Sequence, residues 1–183
     1  EHYGAHLQHL RPCLLALVDD DGILRGAAGL RSAASGPLFL ERYLARPIEQ
    51  EILLRNGRVL NRNEIVEVGN FGTLAPGSAR VLIVALTDLL VAQGFRWICF
   101  TGTPMLINSF QRLGLSPLCV GQARPECLGD EVADWGTYYQ TNPQVMVGEI
   151  MGGHQRLLNS GSYQRLGLEA LYTADGMNHV ACA

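Results

Sequence analysis

Glu67 stands in the middle of an apolar run, "EIVEVGNFGT" (64–73), which breaks into "LAPGSAR" (74–80) just before a long apolar stretch. If the run alternates as a strand, Ile65, Glu67, Gly69 and Phe71 share one face, and Glu64, Val66, Val68 and Asn70 the other. A carboxylate among apolar neighbours holds its proton more tightly unless it is paired, which makes Glu67 a candidate general base. The alternative is a glutamate salt-bridged to one of the chain's many arginines. Gly69 weakens a strand and marks a bulge, which would turn a backbone N–H toward a substrate carbonyl. In "PGSAR", Gly77, Ser78, Ala79 and Arg80 precede a helix whose free N–H groups and dipole favour phosphate, with Arg80 adding a fixed charge. An ordinary turn and cap is the competing reading.

Other residues carry weaker signals. Asn108 meets the same ligand if its helix lines the same cleft; otherwise it is an exposed helix asparagine. Trp135, Tyr138 and Tyr139 either line an acyl or aromatic pocket or pack a loop. His2, His6 and His9 fall at i, i+4 and i+7, the spacing of metal ligands on one helix face, or belong to a frayed terminus. Ser78 and Ser109 have no histidine at a suggestive position, which leaves a serine hydrolase without support.

All fourteen basic residues are arginine, so Schiff-base chemistry and a lysine base are excluded, and anion recognition falls to guanidinium groups. The formal charge of -3 gives no reason to expect a nucleic-acid partner. Five scattered cysteines, Cys13, Cys99, Cys119, Cys127 and Cys182, never fall as C-x-x-C, so a disulfide framework is not expected. Cys13, Cys99 and Cys119 lie in apolar runs and are expected to pack as small hydrophobes. The longest strongly apolar stretch, 81–91, is too short to span a bilayer. The expectation is a cytoplasmic protein of 183 residues with one main domain and neither metal nor integral membrane segment.

These residues need elements to hold them. A strand at 13–18, an acidic turn and a strand at 23–31 come first, the second rich in Gly and Ala where a backbone or ligand comes close. A helix starts at Pro47 and closes at Asn56-Gly57. After the 64–71 strand, a helix runs from Ser78 to Gln93, capped by Gly94 and apolar on most faces, hence sandwiched. A strand at 95–100, a "TGT" turn, a helix from Pro104 to Gly114, a strand at 116–121, an irregular stretch at 122–143 and a last strand at 144–150 follow. Residues 151–183 are a helical extension and tail beyond a 1–150 domain. The sum is an α/β (α+β) mixed sheet whose central βαβ unit, 64–101, is parallel, with ligands at the carboxyl ends of its strands.

The blocks "YGA" (3–5), "GLRSA" (29–33), "LFLERYL" (38–44), "PIE" (47–49), "IVEVGN" (65–70), "TGT" (101–103), "RLGL" (112–115) and "WGTYY" (135–139) occur in this order. Together they resemble the thermostable hemolysin family from about residue 3 to 150. That resemblance implies a mixed central sheet flanked by helices, similar to the Gcn5-related N-acyltransferases and the acyl-homoserine-lactone synthases. In that fold a bulged central strand and the following turn hold an acyl thioester. The resemblance places Glu67 as base or amine-orienting group and the backbone of Asn70, Phe71 and Gly72 as carbonyl polariser. It makes Gly77 to Arg80, with Asn108, the phosphate-binding side, and sets Arg31, Glu41, Thr101, Trp135 and Tyr138 against the amine acceptor. Such proteins usually start with a further helical segment, so the chain is expected to lack its first turns.

The phosphate turn of such acyltransferases reads Gln or Arg, two residues, Gly, one residue, Gly or Ala. Gly77 and Ala79 fit, but Leu74 takes the Gln/Arg place and Pro76 removes a donor. Acyl-carrier protein therefore rivals acyl-CoA as donor, and an acidic carrier would need an arginine patch from among Arg11, Arg25, Arg80, Arg112 and Arg124. The resemblance thus points to an N-acyltransferase moving a fatty acyl group onto a small amine or amino acid. Two readings compete with it: a directly membrane-active protein, which the absence of a basic amphipathic helix disfavours, and a non-catalytic acyl-ligand binding module.

Overall fold

The acidic turn folds the first hairpin. Asp19 accepts hydrogen bonds from the backbone N–H groups of Ile23 (2.8 Å) and Asp21 (3.2 Å), returning β1 (Cys13–Val18) antiparallel onto β2 (Leu24–Ser32). This computed structural model describes residues 3–5, 10–173 and 176–177, so His2, His6, His9 and Cys182 lie outside the described residues. Strands β3 (Ile65–Thr73), β4 (Trp97–Gly102), β5 (Leu118–Gln122) and β6 (Gln144–Glu149) complete a six-stranded sheet of order β1-β2-β3-β4-β6-β5. Only β3 and β4 run parallel, joined by α2 (Ser78–Ala92), as the 64–101 pattern predicts.

Each face of the sheet carries its own core. On one side Val66, Val68 and Phe100 pack with Leu82, Val84 and Leu90 of α2, Phe110 of α3 (Pro104–Arg112), and Ile150 and Leu157 of α4 (Ile150–Asn159). On the other, Ile65, Trp97, Cys99 and Val147 pack with Leu38, Leu40 and with Ile48 and Ile52 of α1 (Ile48–Asn56). Each large side chain fully buried there contributes about 1.5–3 kcal/mol through the area it removes from water. Helix α2, apolar on most faces, is flanked by the sheet, α3 and α4, which is where its composition must put it. Its end is set by Gly94 (φ 80°), with the Phe95 N–H reaching back to the Leu90 carbonyl; Gly114 ends α3 in the same way.

Four expectations shift. Cys13 and Cys119 are exposed, because β1 and β5 form the two sheet edges and their outer faces are uncovered; of the three only Cys99 is buried. The "TGT" turn begins two residues late, with Thr101 and Gly102 inside β4 and Thr103 capping α3 through its side chain. The 122–143 stretch holds 3-10 turns at Pro125–Trp135 and Tyr138–Thr141. Ile150 starts α4 rather than ending β6, and the helix packs into the main core.

Candidate functional site

The pairing of β3 with β4 runs from Ile65↔Trp97 to Val68↔Phe100 and stops, although β3 continues to Thr73 and β4 to Gly102. The two strands therefore part at the end where α2 and α3 begin. On the other edge of β3, the pairing with β2 slips between Gly29↔Gly69 and Ala27↔Gly72, so two residues, Asn70 and Phe71, face one. Asn70 has φ 48°, a left-handed conformation that asparagine tolerates better than most residues. The bulge anticipated from Gly69 is thus present one residue later. It also corrects the alternation: beyond it Phe71 packs against the α2-side core, while the Asn70 side chain turns to the Glu67 side, where its Oδ1 accepts the Arg11 N–H (2.9 Å).

Glu67 is 1% exposed and heavily bonded. Its Oε1 accepts from Arg11 Nη2 (2.9 Å) and the Leu40 N–H (2.9 Å), and its Oε2 from the Phe39 N–H (3.3 Å). Burial pushes the carboxyl above its usual range, opposed by the Arg11 charge, the two backbone donors and Arg31. Glu67 is therefore salt-bridged, and burial raises its proton affinity even so.

Arg11, named from the sequence only among arginines for an acidic carrier, is the Glu67 partner that sequence reasoning missed. It precedes β1 and crosses the sheet over two glycines: a Cβ at Gly29 would lie 2.7 Å from Arg11 Cβ, and one at Gly69 2.9 Å from its Nε. The small residues of β2 and Gly69 were the available signal, since they mark a close approach without naming what approaches. Arg31 pairs opposite Glu67 in the β2–β3 register and reaches Ser35 Oγ at 3.4 Å. Glu41, by contrast, is spent on the protein: it accepts from the N–H groups of Leu38 and Ile48 and from Arg62, and these hold its carboxyl below the usual range against desolvation. It anchors the 38–48 segment, whose N–H groups reach Glu67.

An aromatic wall closes this side. Phe39 and Trp135 sit 5.5 Å apart, Trp135 and Tyr138 5.4 Å, and Tyr3 and Tyr138 5.5 Å, while the Tyr138 hydroxyl donates to the Thr101 carbonyl (3.4 Å) on β4. Arg11 and Arg42 each stand 5.3 Å from the Phe39 ring centre. Burial raises the Tyr138 hydroxyl above its usual range. Glu67, Thr101, Trp135 and Tyr138 thus belong to one neighbourhood.

On the α2 side a groove of about 290 Å³ is lined by Gly77, Ala79 and Arg80 at the start of α2 and by Met105, Asn108, Ser109 and Arg112 of α3. Asn108 and the turn do share a cleft. Ser78 is turned inward and its N–H bonds the Ala75 carbonyl; the Arg80 N–H bonds Gly77. Neither Arg80 nor Arg112 makes an ion pair among the described residues. Of the five arginines considered for an acidic carrier, these two come together, whereas Arg11 is held by Glu67 and Arg25 by Asp19.

The family profile of the thermostable hemolysins matches residues 1–154. The chain belongs to that family. No curated protein sequence matches it. Among solved structures, this thermostable hemolysin is similar to BjaI, a CoA-dependent acyl-homoserine lactone synthase solved with SAM and isopentyl-CoA (TM-score 0.54, 14% identity, 85% of this chain and 64% of that one). It is similar also to MesI, another CoA-dependent acyl-homoserine lactone synthase (0.53, 16%, 89% and 73%). A third is FeeM, an N-acyl amino acid synthase from uncultured soil microbes (0.50, 15%, 78% and 75%). The chain spans 64% of the length of BjaI. The thermostable hemolysin has the fold of these synthases, a mixed sheet flanked by helices, as its sequence blocks imply. No helix among its described residues is long and apolar enough to cross a membrane.

Proposed function

We propose that the protein is an N-acyltransferase that moves an acyl group from a thioester to a small-molecule amine, with acyl-CoA or acyl-carrier protein as donor. One observation carries the reading: β3 parts from β4 with an open groove on one side, its arginines without an ion pair among the described residues, and a buried carboxylate of raised proton affinity on the other. In this reading Gly77, Ala79, Arg80, Asn108 and Arg112 hold the donor's phosphates, and the thioester lies in the gap between the strands. Backbone N–H groups of Asn70, Phe71 and Gly72 polarise its carbonyl. Glu67, facing the aromatic side, takes the amine's proton as nitrogen attacks; the C–N bond forms, the C–S bond breaks, and the proton leaves on the thiol. The shared fold with acyl-transferring synthases supports the same class of chemistry. Cytoplasmic residence follows from the donor, since both carriers belong to that compartment.

Acyl-CoA and acyl-carrier protein of several chain lengths, each incubated with mixed amines and amino acids, test this by mass spectrometry. An amide that requires the protein is expected. No amide from any pair overturns the reading, and donor binding without turnover favours a non-catalytic acyl-ligand module instead.

A further inference from the structure

On the Glu67 side of the sheet the arginines are unequally paired: Arg62 is shared by Glu41 and Glu49, while others have one carboxylate or none among the described residues. Three guanidinium groups, Arg11, Arg31 and Arg42, meet there; Glu67 pairs Arg11, Glu131 pairs Arg42, and Arg31 makes no ion pair among the described residues. Arg11, whose side chain is 14% exposed, has its Nε buried without a hydrogen-bond partner among the described residues. An unsatisfied buried donor is costly, and both the spare guanidinium and the spare donor favour an anionic acceptor group. Glu67 points the same way from the opposite direction. Two donors already occupy its Oε1, and one of them is Arg11, so in this arrangement the carboxylate is poorly placed to receive a proton.

We propose that the acceptor carries a carboxylate beside its amine, and that Arg31 and Arg11 bind it, drawing Arg11 away from Glu67 and freeing that carboxylate for the amine proton. This rests on the acyl-transfer reading and gives the acceptor its chemical class: an α-amino acid. The step balances as a simple aminolysis. The free amine bonds the thioester carbon, Glu67 takes the proton that nitrogen loses as that bond forms, the carbon–sulfur bond breaks, and the departing thiolate takes up the proton from Glu67. Glycine at 29 and 69 fits the scheme, since those positions leave Arg11 a path across the sheet that any Cβ would block. The Phe39 ring under both Arg11 and Arg42 supplies a flat platform on which the guanidinium can slide from one anion to another.

The test pairs each common amino acid with the amine left when its carboxylate is removed, leucine with isoamylamine for example, using the full chain and one acyl donor. A guanidinium–carboxylate contact contributes on the order of 1.5–3 kcal/mol, so kcat/KM for the amino acid should exceed that for its matched amine by roughly 10–100-fold. Arg31→Gln should raise KM for the amino acid about 10-fold or more, and change KM for the matched amine far less. Arg11→Gln should raise KM for the amino acid and increase kcat for the matched amine, because Glu67 is then unpaired. Equal use of both partners, or equal loss for both in Arg31→Gln, overturns the inference while leaving acyl transfer in place. Amide from neither partner overturns acyl transfer itself and the inference with it.

Discussion

The two sides of β3 differ in how complete they are. At the start of α2, the groove lined by Arg80, Asn108 and Arg112 is open, and neither of its arginines is paired among the described residues. Across the strand, Glu67 is closed in by Arg11 and two backbone N–H groups. In the proposed reaction the open side takes the large anionic donor, which needs only electrostatic attraction and a few backbone donors. The proposed chemistry falls on the closed side, and there it requires that something displace Arg11. On that proposal one strand separates a binding surface from a reacting one, and substitutions on the two sides should affect different constants.

The largest effect should follow Glu67→Gln. Loss of a positioned general base lowers kcat by about 10²–10⁴-fold, measured at saturating donor and acceptor, with donor KM nearly unchanged. Next comes the groove. Arg80→Ala together with Arg112→Ala should raise donor KM by roughly 10–100-fold with kcat preserved, about one full charge-assisted contact's worth of binding, since exposed pairs are weakened by solvent. That loss should shrink as salt is added, since the groove is exposed and its charges are screened over about 10 Å at 0.1 M.

A smaller effect is steric. Gly69→Ala places a Cβ 2.9 Å from Arg11 Nε. Overpacking of this kind costs about 1–3 kcal/mol, which thermal or denaturant unfolding should register. Because the intruding methyl shifts Arg11, acceptor KM should rise while donor KM stays constant.

The smallest effect is read from pH. The folded carboxyl of Glu67 lies above its ordinary 4.5, with burial as the leading cause. Between that value and the raised one, the native state keeps a proton that the unfolded chain has released, so Glu67 makes stability fall as pH rises through this window. Denaturant titrations of wild type and Glu67→Gln across it should differ in slope, the glutamine variant lacking that decline. The same raised value sets the acidic limb of the rate, since the base must be ionised: kcat/KM should drop as pH falls through a point above 4.5. The groups facing Glu67 are Arg11, Arg31 and Cys99, and the thiol stays protonated there because burial, and next the Glu67 charge, push it well up.

The open side was largely legible in the sequence because it is local. "PGSAR", the Gly94 and Gly114 ends of α2 and α3, and Thr103-Pro104 are short-range signals whose geometry needs little tertiary help. Even the sharing of one cleft by Asn108 and the turn follows from two consecutive β–α steps. The closed side is assembled from afar. Arg11 and Glu67 are 56 residues apart, and the Leu40 donor lies 27 away. Glu67 could be singled out by its apolar neighbours, but nothing in the local pattern chose Arg11 over the other thirteen arginines. The bulge at Asn70 illustrates the same limit: Gly69 announced an irregularity, yet its register depends on which β2 residue stands opposite, and that reversed the side assigned to Phe71. The burial expected of Cys13 and Cys119 failed because strand order, which decides the sheet edges, is not written in a single apolar run.

Single-turnover amide formation, with donor bound in advance and the amine added by rapid mixing, tests the central claim most directly. Acyl transfer through Glu67 predicts a rate constant in Glu67→Gln lower by about 10²-fold or more, with donor affinity within about twofold of wild type. A Glu67→Gln protein that forms amide at the wild-type rate would contradict it.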